Sequence, residues 1–308
     1  MADHAEGTAP SETQFELLEH QVAGHGSVMR VGDGKVIAKP LIQREQEFYE
    51  AATQCTEFKA FIPEYYGSLQ QQVGGTDDGD STTVGPSYIC LENLAAGYKN
   101  PCIMDVKIGT RIHDIDATPE KVAKMLRKAQ ESTTGSLGVR ICGMLVPGAA
   151  GQPREWFASL TAETIRDAFA MYFSAADSTV SAEYRQFVIK QFILEVEDLA
   201  AVIRSVETRM YSSSLLFIYD ASKARYDRFV SGDWHNSEVN SGDNDSSDDA
   251  DEDEESSDGL LDVKAIDFAH SHWVPGQGYD ELYVSGLERL IEILRSLLDD
   301  KEEPAGGE

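Results

Sequence analysis

Nine residues, Pro101-Cys-Ile-Met-Asp-Val-Lys-Ile-Gly109, constrain the fold of this chain more than any other stretch. They set a carboxylate and an ammonium two positions apart in an apolar, strand-like context. In a strand, side chains at i and i+2 point to one face. Asp105 and Lys107 are therefore expected to face one cavity, with Ile103, Val106 and Ile108 anchoring the backbone and Gly109 permitting a tight exit. A charged pair on a mostly buried strand is costly unless something uses it.

The 308 residues, 41% of them hydrophobic, suffice for one large domain or for two lobes sharing a cleft. A net charge of −28 argues against nucleic acid as a direct ligand and favours basic partners. Much of the acid is local: Asn236 to Asp258 holds eleven Asp or Glu and no Lys or Arg, which reads as a solvated, disordered insert or a docking segment for a basic partner. Cys55, Cys90, Cys102 and Cys142 show no C-x-x-C spacing and read as reduced packing residues of a cytosolic or nuclear protein. The N-terminus is polar and acidic, unlike a secretory signal. No run of about 18 apolar residues is present, so no membrane span is expected.

Along the chain, residues 1–13 read as a flexible tail. Val28–Val31 and Lys35–Lys39 form a hairpin signal around Gly32-Asp-Gly34. A helix follows over Gln43–Thr53, a loop over Val73–Thr83 and a strand over Ser87–Asn93. Thr118-Pro119 is a strong helix start, with a hydroxyl N-cap and then Pro at the first position, and predicts a helix over 118–132. Val122, Met125, Leu126 and Ala129 are its expected inward face. A strand at Leu137–Val146, helices at Thr161–Ala176 and Ala182–Thr208, and strands at Ser214–Tyr219 and Val263–Phe268 follow. Leu287, Leu290, Ile291, Leu294 and Leu298 mark a final amphipathic helix. The expected class is α+β and two-lobed: a small strand-rich lobe over 14–94, a larger mixed lobe over 95–298, and a tail over 299–308.

Several motifs resemble parts of protein kinases. Gly24-His-Gly-Ser27 before the first hairpin suits either a phosphate-cradling loop or a plain turn. Lys39 ends Val-Ile-Ala-Lys, similar to the strand whose lysine holds the α/β-phosphates, though an edge lysine would look the same. Glu45 is its candidate partner, with Glu47 as the solvated neighbour. Ile89-Cys-Leu-Glu92-Asn-Leu94 resembles a hinge, in which Glu92 and Leu94 would meet an adenine edge through backbone groups. Ser213-Ser214-Leu-Leu resembles the end of a catalytic loop with serine where a metal-binding Asn would stand; Ser214 is a metal ligand, an outer support or purely structural. Ile266-Asp267-Phe-Ala-His270 resembles Asp-Phe-Gly, whose Asp bridges Mg²⁺ to the β/γ-phosphates. No His-Arg-Asp base is present, and phosphoryl transfer depends more on positioning and charge neutralisation than on proton removal.

From Lys107 to Lys128 the chain carries six Lys or Arg (Lys107, Arg111, Lys121, Lys124, Arg127, Lys128) against Asp114, Asp116 and Glu120. Lys121, Lys124 and Lys128 fall at helical spacing on one face. Placed after Asp105 and Lys107, that face suits a polyanion beside a transferring phosphate, where elsewhere it would be a solvated surface.

In this order the motifs resemble the inositol polyphosphate kinase family, over roughly Leu17 to Leu298. The resemblance rests on 18–25, 45–49, 91–94, 101–109, Gly-Ser-Leu-Gly-Val-Arg-Ile-Cys-Gly-Met at 135–144, 213–216 and 266–270. The acidic insert is most similar to the fungal multikinases of that family, whereas Lys39-Pro-Leu-Ile-Gln-Arg-Glu and Lys107-Ile-Gly-Thr-Arg-Ile-His are also similar to the hexakisphosphate kinases, which make pyrophosphates. The resemblance implies a kinase-like fold with an inserted inositol-phosphate-binding helix, ATP as donor, Mg²⁺, and inositol tris- and tetrakisphosphates as acceptors. It implies Asp105 on the ribose, Lys107 near the transferred phosphate and Asp267 on the metal. Arg111, Lys121, Lys124, Lys128 and His270 would then face the inositol phosphate. A nuclear and cytoplasmic location follows from it as well, as does a scaffold role in which 236–258 binds basic transcription factors or histones.

Overall fold

The computed structural model describes residues 15–18, 22, 28–73, 83–174, 181–222, 225, 227, 228, 231 and 260–299. The glycine-rich stretch 24–27, the acidic insert 236–258, residues 1–13 and the C-terminal tail apart from Asp299 lie outside them.

The class is α+β, with a strand-rich N-terminal region. Five antiparallel strands form the first sheet: β1 (Phe15–Leu17), β2 (Met29–Val31), β3 (Val36–Pro40), β4 (Tyr65–Val73) and β5 (Thr83–Glu92), in the order β1-β2-β3-β5-β4. The loop expected at 73–83 thus has strand at both rims. Between β3 and β4 lie α1 (Gln43–Ala52) and the short α2 (Thr56–Lys59).

The second sheet is built on β6 (Pro101–Ile108). It pairs with β7 (Val139–Leu145) on one side and β9 (Ser214–Asp220) on the other, and β10 (Leu261–Ile266) closes the order β10-β9-β6-β7. Between β6 and β7 stand α3 (Pro119–Gln130) and the single-turn α4 (Thr133–Leu137), which takes the start of the strand expected from Leu137. The Thr118 hydroxyl caps α3 by accepting the Lys121 N–H at 3.3 Å. Then come α5 (Arg154–Ser159), α6 (Ile165–Phe173) and α7 (Ala182–Ser205). The short pair β8 (Thr208–Met210) and β11 (Ser271–Trp273) precedes α8 (Glu281–Leu298). The Ser181 and Asp280 side chains accept the Tyr184 and Tyr283 N–H groups, each at 3.1 Å, to start α7 and α8.

A continuous apolar core runs from Phe48, Tyr49 and Ile89 to Leu287 and Leu294. Phe268, fully buried, stacks on Phe48 at 4.4 Å and ties α1 to the turn after β10. α3 contributes little: Ala129 is its one buried residue, and Leu126, expected inward, is 47% exposed. The four cysteines are free, with Cys90 and Cys102 buried.

One close approach sets the end of β6. A Cβ on Gly286 of α8 would lie 2.7 Å from the Gly138 carbonyl oxygen and 2.8 Å from the Gly109 nitrogen. Gly109 itself has φ +90°, a conformation that side chains disfavour. α8 therefore presses directly on the exit of the strand that carries Asp105 and Lys107.

Candidate active site

Strand β6 divides its side chains by alternation. Cys102, Met104, Val106 and Ile108 enter the main core. Pro101, Ile103, Asp105 and Lys107 line a cavity of about 1910 Å³. Ile103, expected among the backbone anchors, belongs to the cavity face and packs with Leu94 and Ile218. A register shift between Asp105 and Val106 leaves Asp105 opposite Gly143 and Val106 opposite Ile141. Gly143 is required there because a Cβ would meet the Val22 carbonyl oxygen at 1.9 Å.

Lys39 brings three elements together. Its Nζ donates to Glu45 Oε1 at 2.8 Å and to Asp267 Oδ1 at 2.7 Å. Burial alone would lower the lysine pKa, yet the carboxylates of Asp267 and Glu45 outweigh it and raise it. Glu45, completely buried, is the orienting acid, and Glu47 is exposed. The same Glu45 Oε1 accepts the Phe268 N–H at 3.1 Å. Asp267 sits at φ +66°, a left-handed conformation uncommon outside glycine and asparagine or aspartate, so the turn is held from outside. Burial raises the Asp267 pKa, but Lys39 and Lys107 together bring it below the ordinary carboxylate range.

Lys107 lies 3.7 Å from Asp267 Oδ2 and donates to the Ser212 carbonyl at 2.6 Å and to Ser214 Oγ at 3.0 Å. Ser214 is completely buried and stands outside the cavity wall, where it anchors the lysine. Asp105 is 4% exposed, and its Oδ1 has no hydrogen-bond partner among the described residues. Burial pushes its carboxyl up to about 6, against the pull of Lys107. A buried, unpartnered acceptor oxygen on a cavity wall suits a ligand hydroxyl donor.

At the hinge, Glu92 and Leu94 also line the cavity. The Glu92 N–H is committed to the Glu64 carbonyl at 2.9 Å.

Part of the lining is cationic. Lys121, Met125 and Lys128 of α3 contribute to it at i, i+4 and i+7. Lys124, rotated to the edge of that stripe, does not; all three lysines are exposed. Arg111 also lies elsewhere, its guanidinium 4.3 Å over the Tyr211 ring. Arg140 and Arg154 take part instead. Arg140 is paired directly across from Lys107, and like charges opposite one another are unfavourable unless an anion lies between them. Burial first, and then Arg140 and Arg154, lower the Lys128 pKa. Arg140 held the polar position of the Val-Arg-Ile-Cys alternation, a readable signal of outward placement; Arg154 carried no local signal and arrives through α5.

His270 lines the cavity beside Asp267, with its Nδ1 2.9 Å from Asp114 Oδ2. His272 Nε2 approaches Asp114 Oδ1 at 2.8 Å, and Arg44 of α1 donates to Asp114 as well. In the sequence alone, Asp114 reads only as a counter-charge to the basic run. Although burial works against it, hydrogen bonds from both histidines and the Arg44 charge hold its carboxyl well below the usual range.

The cavity exceeds the roughly 300–1,000 Å³ of a typical single-ligand site. It joins an end lined by Lys39 and Asp267 to a polycationic end. The family model described as inositol polyphosphate kinase matches residues 88–295.

The chain belongs to the inositol polyphosphate kinase family.

It is 32% identical to the inositol polyphosphate multikinase of Saccharomyces cerevisiae, over 91% of this chain and 97% of that protein. It is 32% identical to inositol hexakisphosphate kinase 2 of Oryctolagus cuniculus, over 70% of this chain and 53% of that one. Among solved structures it resembles the S. cerevisiae multikinase Ipk2 in complex with ADP and Mn²⁺. That match has a TM-score of 0.67 and 29% identity, and covers 86% of this chain and all of the other. As a member of this kinase family the protein is an enzyme with the kinase-like fold. No helix among its described residues is long and apolar enough to cross a membrane.

Proposed function

We propose that the protein transfers the γ-phosphoryl group of ATP to inositol tris- and tetrakisphosphates, toward the pentakisphosphate. The observation that carries this reading is the continuity of the cavity from Lys39, which Glu45 holds from behind, and Asp267 to Lys121, Lys128 and Arg140, with Lys107 between the two ends.

Among the described residues no set of three His, Cys, Asp or Glu side chains converges on a metal-sized space. The donor set fits a hard cation that shares Asp267 with the nucleotide's own phosphates, as Mg²⁺ commonly does. Bound in that way, Mg²⁺ would neutralise charge on the β- and γ-phosphates. Lys39, oriented by Glu45, holds the phosphates; Asp105 offers its unpartnered oxygen to a ribose hydroxyl. Lys107, fixed by Ser212 and Ser214, presents its ammonium to the phosphoryl group, and the cationic part of the lining holds the acceptor's existing phosphates.

Product profiling tests this reading. Purified protein with Mg-ATP should convert inositol 1,4,5-trisphosphate to more highly phosphorylated products, and no such product would overturn it. Similarity to a hexakisphosphate kinase supports a second reading, pyrophosphate synthesis, which formation of an acid-labile product from inositol hexakisphosphate would identify. We further propose residence in nucleus and cytoplasm, with 236–258 recruiting basic proteins such as histones or transcription factors. Deleting that tract should abolish capture of such partners and spare kinase activity.

A further inference from the structure

Two adjacent residues of α1 reach the same short turn from two directions. Glu45 grips Lys39 and the Phe268 N–H. Arg44 grips Asp114, which is 6% exposed and holds the Nδ1 edge of His270 and the Nε2 edge of His272. Asp267 and His270 are thus clasped to α1 by one residue pair, and Arg44 adds a 2.9 Å bond to Asp116.

We propose that Asp114 is the positioning residue of the acceptor half of the site. A carboxylate bound to one nitrogen of an imidazole fixes its tautomer and ring plane. With Nδ1–H donated to Asp114, Nε2 is the nitrogen that His270 turns to a ligand in the cavity. The Arg44 link registers that nitrogen against the helix whose next residue orients Lys39. Asp114 touches no substrate in this scheme; it acts through His270. The catalytic part of the inference rests on the reading that His270 faces the inositol phosphate.

Full-length wild type, Asp114→Asn, His270→Ala and the double variant are compared in steady-state assays with Mg-ATP and inositol 1,4,5-trisphosphate. Asp114→Asn should raise the acceptor KM about tenfold, the order of loss seen when a carboxylate behind a functional histidine is removed, and leave the ATP KM within about twofold. The same substitution should cost nothing further in the His270→Ala background. Additive losses, or an unchanged acceptor KM in Asp114→Asn when His270→Ala raises it, would overturn the proposal. ¹⁵N-histidine NMR at alkaline pH gives a readout independent of substrate. His270 should be a single Nδ1–H tautomer in wild type and a tautomer mixture in Asp114→Asn; a mixture in wild type also overturns the proposal. If His270→Ala leaves the acceptor KM unchanged while the tautomer result holds, the placement of the acceptor fails and the positioning of His270 by Asp114 stands. Should Asp114→Asn misfold, Arg44→Met, which frees the Asp114 carboxylate from α1, takes its place in the kinetic cycle: the acceptor KM should rise with no further cost in the His270→Ala background, while His270 stays a single Nδ1–H tautomer because the carboxylate remains.

Discussion

The two ends of the cavity solve opposite electrostatic problems. At the nucleotide end, opposite charges are already paired: Lys39 with Glu45 and Asp267, and Lys107 beside Asp267. At the acceptor end, like charges converge: Arg140 opposite Lys107, with Lys128 depressed by burial and by Arg140 and Arg154. The first end is preorganised by the fold, because buried charges must be matched. The second is built partly on a sparsely buried helix, and a bound polyanion would offset its mutual repulsion. One end tolerates little substitution, and the other grades its response.

The largest effect is expected at the paired end. Asp267→Asn keeps a residue type that accepts left-handed backbone, so the fold should survive, while kcat falls by about 10²–10³-fold through loss of charge on the metal and phosphates. Steady-state kinetics alongside a melting curve checks both halves, and near-normal turnover would remove Asp267 from the metal site. Next comes the acceptor end. Arg140→Ala should weaken inositol phosphate binding by about 10–100-fold, as loss of a charge-assisted hydrogen bond does, with ATP affinity little changed. Titration calorimetry with each ligand separates the two, and an equal loss for ATP would merge the two ends.

A substitution outside both ends sharpens the contrast. Gly286→Ala sets a methyl group against Gly138 and Gly109 and should destabilise the protein by about 1–3 kcal/mol, read by denaturant unfolding. Unchanged stability would show that α8 does not buttress β6.

The smallest effect concerns pH. Folding raises the Asp105 carboxyl from its ordinary 3.8 to about 6, so its ionised form opposes folding. That penalty is complete above about pH 6 and disappears as pH falls toward 4. Asp105→Asn should therefore melt a few degrees above wild type at pH 8, and the gap should narrow by about half at pH 5 and close toward pH 4. Asp114 has the opposite sign: its contribution is present above its unfolded pKa and is lost only in stronger acid, below the window in which Asp105 titrates. A gap that widens on acidification would contradict the burial of Asp105.

Local grammar made much of this legible. The alternation in 101–109 predicted that Asp105 and Lys107 share a face, and they do. Thr118-Pro119 marked the start of α3, and Glu45, six residues after Lys39, was a natural partner. Each of these depends on neighbours in sequence, where chain geometry leaves few choices. The expectations that shifted depended on rotation or on distance along the chain. Lys124 missed the cavity because α3 sets its 121/125/128 stripe along the cavity rim, and Leu126 stayed exposed because little packs against that helix. Asp114 could not be read as a hub because its partners lie 70, 156 and 158 residues away.

The sequence by itself determined the charged strand, its faces and the order of motifs that marks an inositol polyphosphate kinase, because strand alternation and motif spacing are properties of the local chain. Only the tertiary structure decided which cations line the cavity and which carboxylate holds His270. Those pairings are made by elements far apart in sequence, and their burial and mutual repulsion exist only once the sheets and α1, α3 and α5 come together.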